Sequence, residues 1–333
     1  MIYRRKIRCT LLEDGSSVDL NYFVVKGRRE KPVLLLNAAI HGEELNGIEV
    51  IMRLLEEIDP ATLNGTIYAV PIVNVLAYRA GSRAEPRDLE DLNRVFPGKK
   101  DGTATERIAY HFFEKFVKKA DFGIDLHAGM RGHLLMPHPR MRYTNDYTPP
   151  LEPFRALGTE IIFYNEGKKG MLTIEAGKIG KPIVCFEIGE AGRLDEEYIQ
   201  AGLKGVKNFM KYFGMLDGEP EIPEKQILLK DYLEIKAGCP GLFYPFVKPG
   251  EVVKKKQALG YIRELPTGEK KIIESPKNSV VIGIRSRPPV RLGTTVAWLM
   301  SFEHGEVLPQ MKKGKKVKSK ILAEIEKRKI EIR

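Results

Sequence analysis

The chain has 333 residues, of which 43% are hydrophobic and 30% charged. This apolar fraction is typical of a globular protein, and the length suffices for more than one domain. The first seven residues (MIYRRKI) lack the apolar core of a signal peptide, and no apolar run approaches the ~20 residues that span a bilayer. We therefore expect a cytoplasmic protein that does not bind membranes. Three widely spaced cysteines indicate neither a disulfide framework nor a thiolate metal site.

The formal net charge of +11 is concentrated near the C-terminus. Residues 311–333 contain ten Lys or Arg against three Glu and so hold +7, which leaves +4 for the rest of the chain. A terminal basic run is typical of a solvated or loosely helical extension, and binding through it would be salt-sensitive and nonspecific. We expect no specific nucleic-acid partner. The sequence leaves a homo-oligomer open.

The first chemical feature along the chain follows the apolar run 33–40 (VLLLNAAI), which predicts a buried strand. Apolar residues then recur at helical spacing, so we expect a helix from residue 41. Positions i and i+3 share one face of a first helical turn, and His41 and Glu44 can therefore reach one metal ion while Glu43 points elsewhere. The alternative is a solvated helix start without a ligand.

The segment 71–98 is rich in Arg, Asn and turn-forming residues and has no amphipathic period. Long irregular segments inside compact domains tend to be functional loops. The planar guanidinium of Arg94 and the amide of Asn93 suit a clamp on an anionic substrate end. The alternative is a surface loop whose arginines pair with Asp88 or Asp91.

His127 closes a strand-like run at residues 122–127 (FGIDLH) and precedes a turn signal. Catalytic groups in α/β proteins gather at the carboxyl ends of strands, so His127 is the candidate third metal ligand. Asp125 shares its side of the strand and is placed to orient the imidazole. His133 and His138 are the alternative ligands.

The run 181–189 (KPIVCFEIG) predicts an apolar strand that carries one carboxylate, Glu187, near its end. Buried carboxylates are costly unless they are paired or used in chemistry. Glu187 is therefore the candidate general base, which takes a proton from the attacking water and passes it to a leaving amine. The alternative is a glutamate paired with an arginine at the domain surface.

Strand and helix patterns alternate through residues 1–215, which predicts a mixed α/β sheet with helices on both faces. The predicted strands lie near 33–39, 66–72, 121–127 and 182–188, and the predicted helices near 43–58, 104–119 and 195–213. A Gly/Pro-rich linker follows. Short β-type runs at 220–305 then resemble the barrel-sandwich fold of lipoyl and biotinyl domains and predict a small all-β domain. Residues 306–333 are expected to form a basic C-terminal tail.

Four motifs in this chain order carry a resemblance to a known family. They are the His-x-x-Glu at 41–44, the run DLNRVFPG at 91–98, the Asp-Leu-His at 125–127, and Glu187 followed by Ile-Gly. Together they resemble the zinc carboxypeptidase superfamily and, within it, the succinylglutamate desuccinylase and aspartoacylase family. The resemblance covers about residues 30 to 215.

The resemblance implies one Zn²⁺ per chain, held by His41, Glu44 and His127. Other first-row metals such as Co, Mn or Fe also suit a site of nitrogen and oxygen ligands. The C-terminal β domain would then pack beside the active-site mouth and limit access by long polypeptides.

The resemblance also implies roles for residues outside the metal site. Glu187 would promote attack by water, and Asn93 and Arg94 would bind the carboxylate of the amino-acid part of the substrate. Arg83 best fits the family's arginine that polarises the scissile carbonyl; the substitutes are Arg79 and Arg87.

These features predict a zinc-dependent amidohydrolase that cleaves a small N-acyl amino acid or a related amide. The first alternative is a carboxypeptidase acting on short peptides. A noncatalytic binding protein of the same fold would require a lost ligand or base, and all are present. Relatives that take a dicarboxylic acyl group use an arginine upstream of the catalytic strand. Residues 170–178 contain no arginine, which argues against a succinyl or aspartyl substrate.

Overall fold

The structure is a computed structural model that describes residues 1–332. Its helices are α1 Asn46–Glu57, α2 Val75–Ala80, α3 Ala104–Lys115, α4 Glu152–Ala156, α5 Leu172–Lys178, α6 Glu196–Tyr212 and α7 Lys320–Lys327. Its first ten strands are β1 Ile2–Leu11, β2 Ser17–Lys26, β3 Val33–Ala38, β4 Thr66–Val70, β5 Phe122–Gly129, β6 His133–Tyr143, β7 Ile161–Glu166, β8 Ile183–Glu190, β9 Glu221–Pro223 and β10 Gln226–Leu229. The others are β11 Tyr232–Lys236, β12 Gly241–Pro245, β13 Val252–Val253, β14 Ala258–Arg263, β15 Lys270–Glu274, β16 Ser279–Arg285, β17 Pro289–Val290, β18 Thr295–Ser301, β19 Glu306–Leu308 and β20 Lys315–Val317.

A large mixed sheet organises the molecule, with its main path in the order β1-β2-β4-β3-β5-β8-β6-β16-β18-β11. The four central strands β4, β3, β5 and β8 run parallel to one another. Their neighbours β2 and β6 are antiparallel to them. The carboxyl ends of β3, β5 and β8 therefore meet at one edge of the sheet, where ligand and catalytic groups gather in such folds.

Helices cover both faces of the central strands, as predicted. Alternate side chains of β3 serve the two faces, with Leu34 and Leu36 in one core and Leu35 in the other. Helices α1 and α6 pack on the first face, while α3 and α5 contribute to the second. The mixed α/β prediction is thus confirmed, and the strands are buried from both sides.

The predicted helix start at residue 41 is wrong, because α1 begins only at Asn46. Residues 41–44 instead form a turn in which the backbone N–H of Glu44 donates to the carbonyl of His41 over 3.1 Å. Glycine at position 42 lets this turn pack closely against α2, because a Cβ there would overlap the backbone of Ala77. The side chains of His41 and Glu44 nevertheless lie 2.7 Å apart, held by a turn and not by a helix.

The C-terminal region adds a small β-sandwich, which confirms the predicted all-β part of the fold. A four-stranded sheet, β15-β14-β12-β17, faces strands β16 and β18 of the large sheet. Phe243 and Ile262 from the small sheet pack against Val281 and Leu299 from the large one. Their burial stabilises the two layers, because such side chains each gain about 1.5–3 kcal/mol when removed from water.

This sandwich is continuous with the N-terminal α/β part of the molecule. Strand β16 pairs with β6, and Gly283 lies opposite Leu135 in that register. Strand β10 likewise pairs in parallel with β7, with Ile227 opposite Ile161. The large sheet therefore crosses the predicted linker near residue 220.

The expectation of a solvated basic tail at 306–333 is not met in its described part. Strand β19 pairs with β10, and β20 pairs with β9. Helix α7 buries Ile321 and Ile325 in a core that also contains Phe302 and Ile330. The lysines dominate the charge count, but isoleucines at helical spacing fix the segment to the body.

Within residues 1–332, no helix is both long and apolar enough to cross a bilayer.

Candidate metal centre and active site

The turn after β3 and the end of β5 bring His41, Glu44 and His127 together. The Nδ1 atom of His41 lies 2.7 Å from Glu44 Oε1, and the Nδ1 atom of His127 lies 2.8 Å from Glu44 Oε2. One ligand atom from each residue lies within 4.8 Å of the others. The three predicted ligands can therefore contact a common ion, and we call these three residues the metal cluster.

Each imidazole is oriented by a carboxylate on its opposite nitrogen. His127 Nε2 lies 2.7 Å from Asp125 Oδ2, and His41 Nε2 lies 3.2 Å from Asp91 Oδ1. A metal-binding imidazole usually makes such a bond, which fixes the ring and strengthens the ligand. The predicted Asp125 contact is thus present, whereas Asp91 was expected only as a partner for arginines.

The donor set suits a divalent metal ion. His41, Glu44 and His127 are at most 4% exposed. Burial would raise the pKa of Glu44, but the charges of the two imidazoles outweigh it and hold that pKa below its usual range. A buried ionised carboxylate between two oriented imidazoles provides two nitrogen donors and one oxygen donor, the composition of catalytic zinc sites that keep a position open.

Glu187 lies beside this cluster on β8, where it is the register partner of His127 on β5. Its Oε1 lies 3.3 Å from Arg140 Nε and 3.9 Å from Arg142 Nη2. Burial raises the pKa of Glu187, but the charges of Arg140 and then His127 outweigh it, so the net shift is downward. Glu187 is thus a buried carboxylate held in its ionised, proton-accepting form.

Arg83 reaches the metal cluster from the loop after α2. Its Nη2 donates to Asp91 Oδ2 over 3.1 Å, and its Nη1 lies 3.7 Å from Glu44 Oε1. The Arg–Asp pairing that would tie down a surface loop therefore exists, but it lies in the cavity. Asp91 joins Arg83 to His41, so the loop and the metal cluster form one network.

Asn93 and Arg94 occupy a 3₁₀ turn over Leu92–Arg94 in the same loop. The side-chain oxygen of Asn93 accepts from the backbone N–H of Leu172 over 2.9 Å, which leaves its amide N–H groups as donors for a ligand. Arg94 Nη1 donates to the carbonyl of Asn93 over 2.7 Å, while the side chain stays 39% exposed. Both residues line the cavity described next.

These groups line one cavity of about 580 Å³. The C-terminal region contributes four residues to the lining: Tyr232, Glu234, Thr295 and Trp298. Strand β6 adds Arg140 and Arg142. All seven predicted site residues, His41, Glu44, Arg83, Asn93, Arg94, His127 and Glu187, line this cavity.

The alternative ligands do not join the metal cluster. His138 Nδ1 lies 2.8 Å from the carbonyl of Met136, and His133 packs against Trp298 with ring centroids 3.9 Å apart and planes tilted by 43°. Arg140 and Arg142 also line the cavity, although they are not among the predicted site residues. Their signal is the run PHPRMRY, in which charged residues at alternate positions of a strand share one face.

A candidate metal site of two histidines and one glutamate in a mixed α/β sheet defines the class of protein, and comparison with known proteins gives the family. The succinylglutamate desuccinylase/aspartoacylase catalytic domain matches residues 30–213, and the chain belongs to this family. The chain is 28% identical over 285 residues to the N-alpha-acetyl-L-2,4-diaminobutyric acid deacetylase of Halomonas elongata, covering 82% of this chain and 83% of that protein. It is 27% identical over 215 residues to a succinylglutamate desuccinylase of Pseudomonas aeruginosa, covering 60% of this chain and 62% of that protein.

Solved structures show the same architecture. The product-bound ectoine utilization protein EutE (DoeB) from Ruegeria pomeroyi superimposes with a TM-score of 0.78 at 26% identity, covering 90% of this chain and 95% of that chain. A succinylglutamate desuccinylase/aspartoacylase from Rhodobacter sphaeroides gives 0.78 at 24% identity, with the same coverage of 90% and 95%. The likeness covers the C-terminal β region as well as the catalytic half.

Proposed function

We propose that this protein is a zinc-dependent amidohydrolase that removes the acyl group from a small N-acyl amino acid. The observation that carries the proposal is the convergence of His41, Glu44 and His127 beside the ionised Glu187. Relatives named for deacetylation and desuccinylation of amino acids support the same class of reaction. The donor set favours zinc, which prefers such a mixture of nitrogen and oxygen ligands.

The side chains divide the work of amide hydrolysis. A divalent ion held by the cluster would lower the pKa of a water molecule and polarise the substrate carbonyl. Glu187 is placed to accept the proton of the attacking water and to return it to the departing amine. Arg83, which faces the cavity between Glu44 and Asp91, is placed to stabilise the developing oxyanion by a charged hydrogen bond.

The leaving amino acid would be bound through its carboxylate. Arg94 is half-exposed in the cavity, and Asn93 keeps its amide donors free for the same ligand. A guanidinium and an amide side by side bind a carboxylate more strongly than either alone. The scissile bond would then lie between the Asn93–Arg94 pair and the metal ligands.

The C-terminal wall favours a small amide over a longer peptide. Tyr232, Glu234 and Trp298 from the C-terminal region add to the lining of the cavity of about 580 Å³. Side chains at this position would restrict the room for a long peptide more than the room for a short acyl group. The proposal therefore ranks deacylation above the alternative of a carboxypeptidase on short peptides.

Metal analysis combined with a substrate panel tests the proposal. We expect about one zinc per chain, and release of the amine from N-acetyl amino acids with kcat/KM falling steeply from acetyl derivatives to dipeptides and tripeptides. Equal or faster cleavage of peptides would support the carboxypeptidase instead. A zinc-loaded protein that cleaves neither class would overturn both enzymatic functions.

A further inference from the structure

The small sheet of the C-terminal region ends in an open strand. Strand β15 pairs with β14 on one side, and no other strand within residues 1–332 pairs with its second side. Four of its residues are exposed, namely Lys270, Lys271, Ile272 and Glu274. Such an edge presents unpaired backbone N–H and C=O groups that can bind a further strand.

Hydrogen bonds at both ends of β15 show which of its backbone groups face β14. The backbone N–H of Glu264 donates to the carbonyl of Glu269 over 2.9 Å. The backbone N–H of Ser275 donates to the carbonyl of Gln257, also over 2.9 Å. Successive residues of a strand turn their backbone groups to opposite sides, so the odd-numbered residues face β14. The even-numbered residues face the open edge: Lys270, Ile272 and Glu274.

The sequence of β15 (KKIIE) is complementary to itself in the antiparallel direction. A two-fold axis at Ile272 would place this residue opposite Ile272 of a second copy, and Lys270 opposite Glu274 of that copy. These side chains share one face of the strand, because side chains alternate along it. Two Lys–Glu pairs would then flank the axis, and opposite charges at facing positions stabilise a sheet.

The two charged residues on this face are free to make such contacts. Glu274 is exposed and makes no ion pair within residues 1–332. Lys270 lies over the ring of Tyr261 at 5.0 Å and makes no ion pair with a carboxylate in the same part of the chain. Lys271, in contrast, already pairs with Glu264 at 2.7 Å and belongs to the other face.

A row of apolar side chains on the same face leads to this edge. In the register of the small sheet, Tyr244 lies opposite Tyr261, and Tyr261 lies opposite Ile272. The two tyrosine rings stack with centroids 4.8 Å apart, and Ile272 is 55% exposed. Pairing about the two-fold axis would continue this row into a second copy and would cover Ile272 at its open end.

The edge of the large sheet at β1 lacks this complementarity. Strand β1 pairs only with β2 within residues 1–332, and its sequence (IYRRKIRCTL) contains four cations and no acidic residue. Pairing of two β1 strands would therefore bring cations together, which protects an edge against association. The charge pattern thus favours β15 over β1 as a contact between copies.

We propose that β15 is a docking edge for a second copy of this chain, so that two small sheets join into one continuous sheet. The partner is selected by charge, because Lys270 of each copy meets Glu274 of the other. Such a dimer is weak, since one short strand from each copy buries less than the ~1,200 Å² of a standard interface. It does not depend on the proposed amidohydrolase function.

Sedimentation equilibrium at low ionic strength tests the docking edge. We expect the wild type to dimerise with a dissociation constant of about 100 µM. Lys270→Glu and Glu274→Lys should each raise this constant at least about tenfold, because each substitution places like charges together on both sides of the axis. Arg4→Glu makes the same change of charge on β1 and should keep the wild-type constant. A wild type that stays monomeric up to about 1 mM would overturn the proposal.

A mixture of the two variants separates this edge from any other contact. In a mixed pair, the copy with Lys270→Glu offers two negative charges and the copy with Glu274→Lys offers two positive charges, so both facing pairs are again attractive. We expect the mixture to form a heterodimer at least as tightly as the wild type dimerises, while far-ultraviolet circular dichroism shows each variant to be folded. A dimer that survives either substitution alone would place the contact elsewhere and overturn the docking edge, as would a mixture that stays monomeric.

Discussion

The two walls of the cavity are built in different ways. The wall at the ends of β3, β5 and β8 consists of charged side chains that bond one another, as in the contacts of Glu44 with both imidazoles. The wall from β11 and β18 relies on ring contacts, such as Tyr232 on Phe163 with centroids 5.3 Å apart. Charge and hydrogen bonds fix reactive groups in place, whereas packed rings shape the space beside them. We therefore attribute the chemistry to the first wall and the limit on substrate size to the second.

Although the walls differ in role, the sheet joins them, and a truncation gives the largest effect. A chain that ends at residue 217 would leave β6 and β7 without β16 and β10 and would expose Met136, Ile161 and Phe163. We expect no cooperatively folded protein, measured by near-ultraviolet circular dichroism and urea unfolding.

Co-expression provides the control for that truncation. Residues 218–333 supplied as a separate chain should restore a soluble complex, because the missing strands can pair in trans. If fragment 1–217 on its own were stable and unfolded cooperatively, the prediction that it needs the C-terminal strands in order to fold would be wrong.

The charged wall is tested next by removing one metal ligand. His41→Ala should lose bound metal and, with it, nearly all amidase activity, because two ligands hold a divalent ion far more weakly than three. Arg83 still bonds Asp91 in the variant, so we expect the fold to persist. Metal content and circular dichroism measured on the same sample check both statements, and His111→Ala in α3 is the matched control that should keep its metal.

Removal of the base separates chemistry from metal binding within the same wall. Glu187→Gln should lower kcat about 1,000-fold, since general acid–base catalysis contributes 10²–10⁴-fold, while the metal stays near one per chain. Glu197→Gln, at an exposed position of α6, serves as the control. Unchanged turnover in the Glu187 variant would reject this residue as the base.

The sequence predicted the charged wall better than the rest of the fold. Strands near 33–39, 121–127 and 182–188 appear as β3, β5 and β8 with small shifts of their ends. Long apolar runs reveal such strands because they are buried on both faces. Polar residues at the ends of these runs then stand out, which is why His127 and Glu187 could be identified.

The other wall depends on pairings that local patterns do not show. Strand β6 carries His138, Arg140 and Arg142 at alternate positions. Its sequence therefore lacks the apolar run by which a buried strand is predicted. Its partner β16 comes from more than 130 residues later in the chain. The contact of Asp91 with His41 is equally remote and arises only when the loop folds over the turn. Long-range partners of this kind follow from the assembled sheet and not from spacing.

The smallest predicted effect concerns the pH dependence of stability and His138, which lies between the two walls. Burial, with repulsion from Arg140, lowers the pKa of His138 to about 4. Its Nδ1–H donates to the carbonyl of Met136, and its buried Nε2 has no hydrogen-bond partner within residues 1–332. In the unfolded chain the same ring titrates near pH 6.5.

Between pH 6.5 and pH 4 the unfolded state therefore binds more protons than the folded state, so stability falls as the pH falls. His138 alone should account for about 1.5 kcal/mol of that loss between pH 6.5 and pH 5. Urea unfolding of the wild type and of His138→Gln at both pH values measures the difference. An equal loss in the two proteins would contradict the lowered pKa of His138 and would show that this ring takes up its proton equally in the folded and unfolded chains.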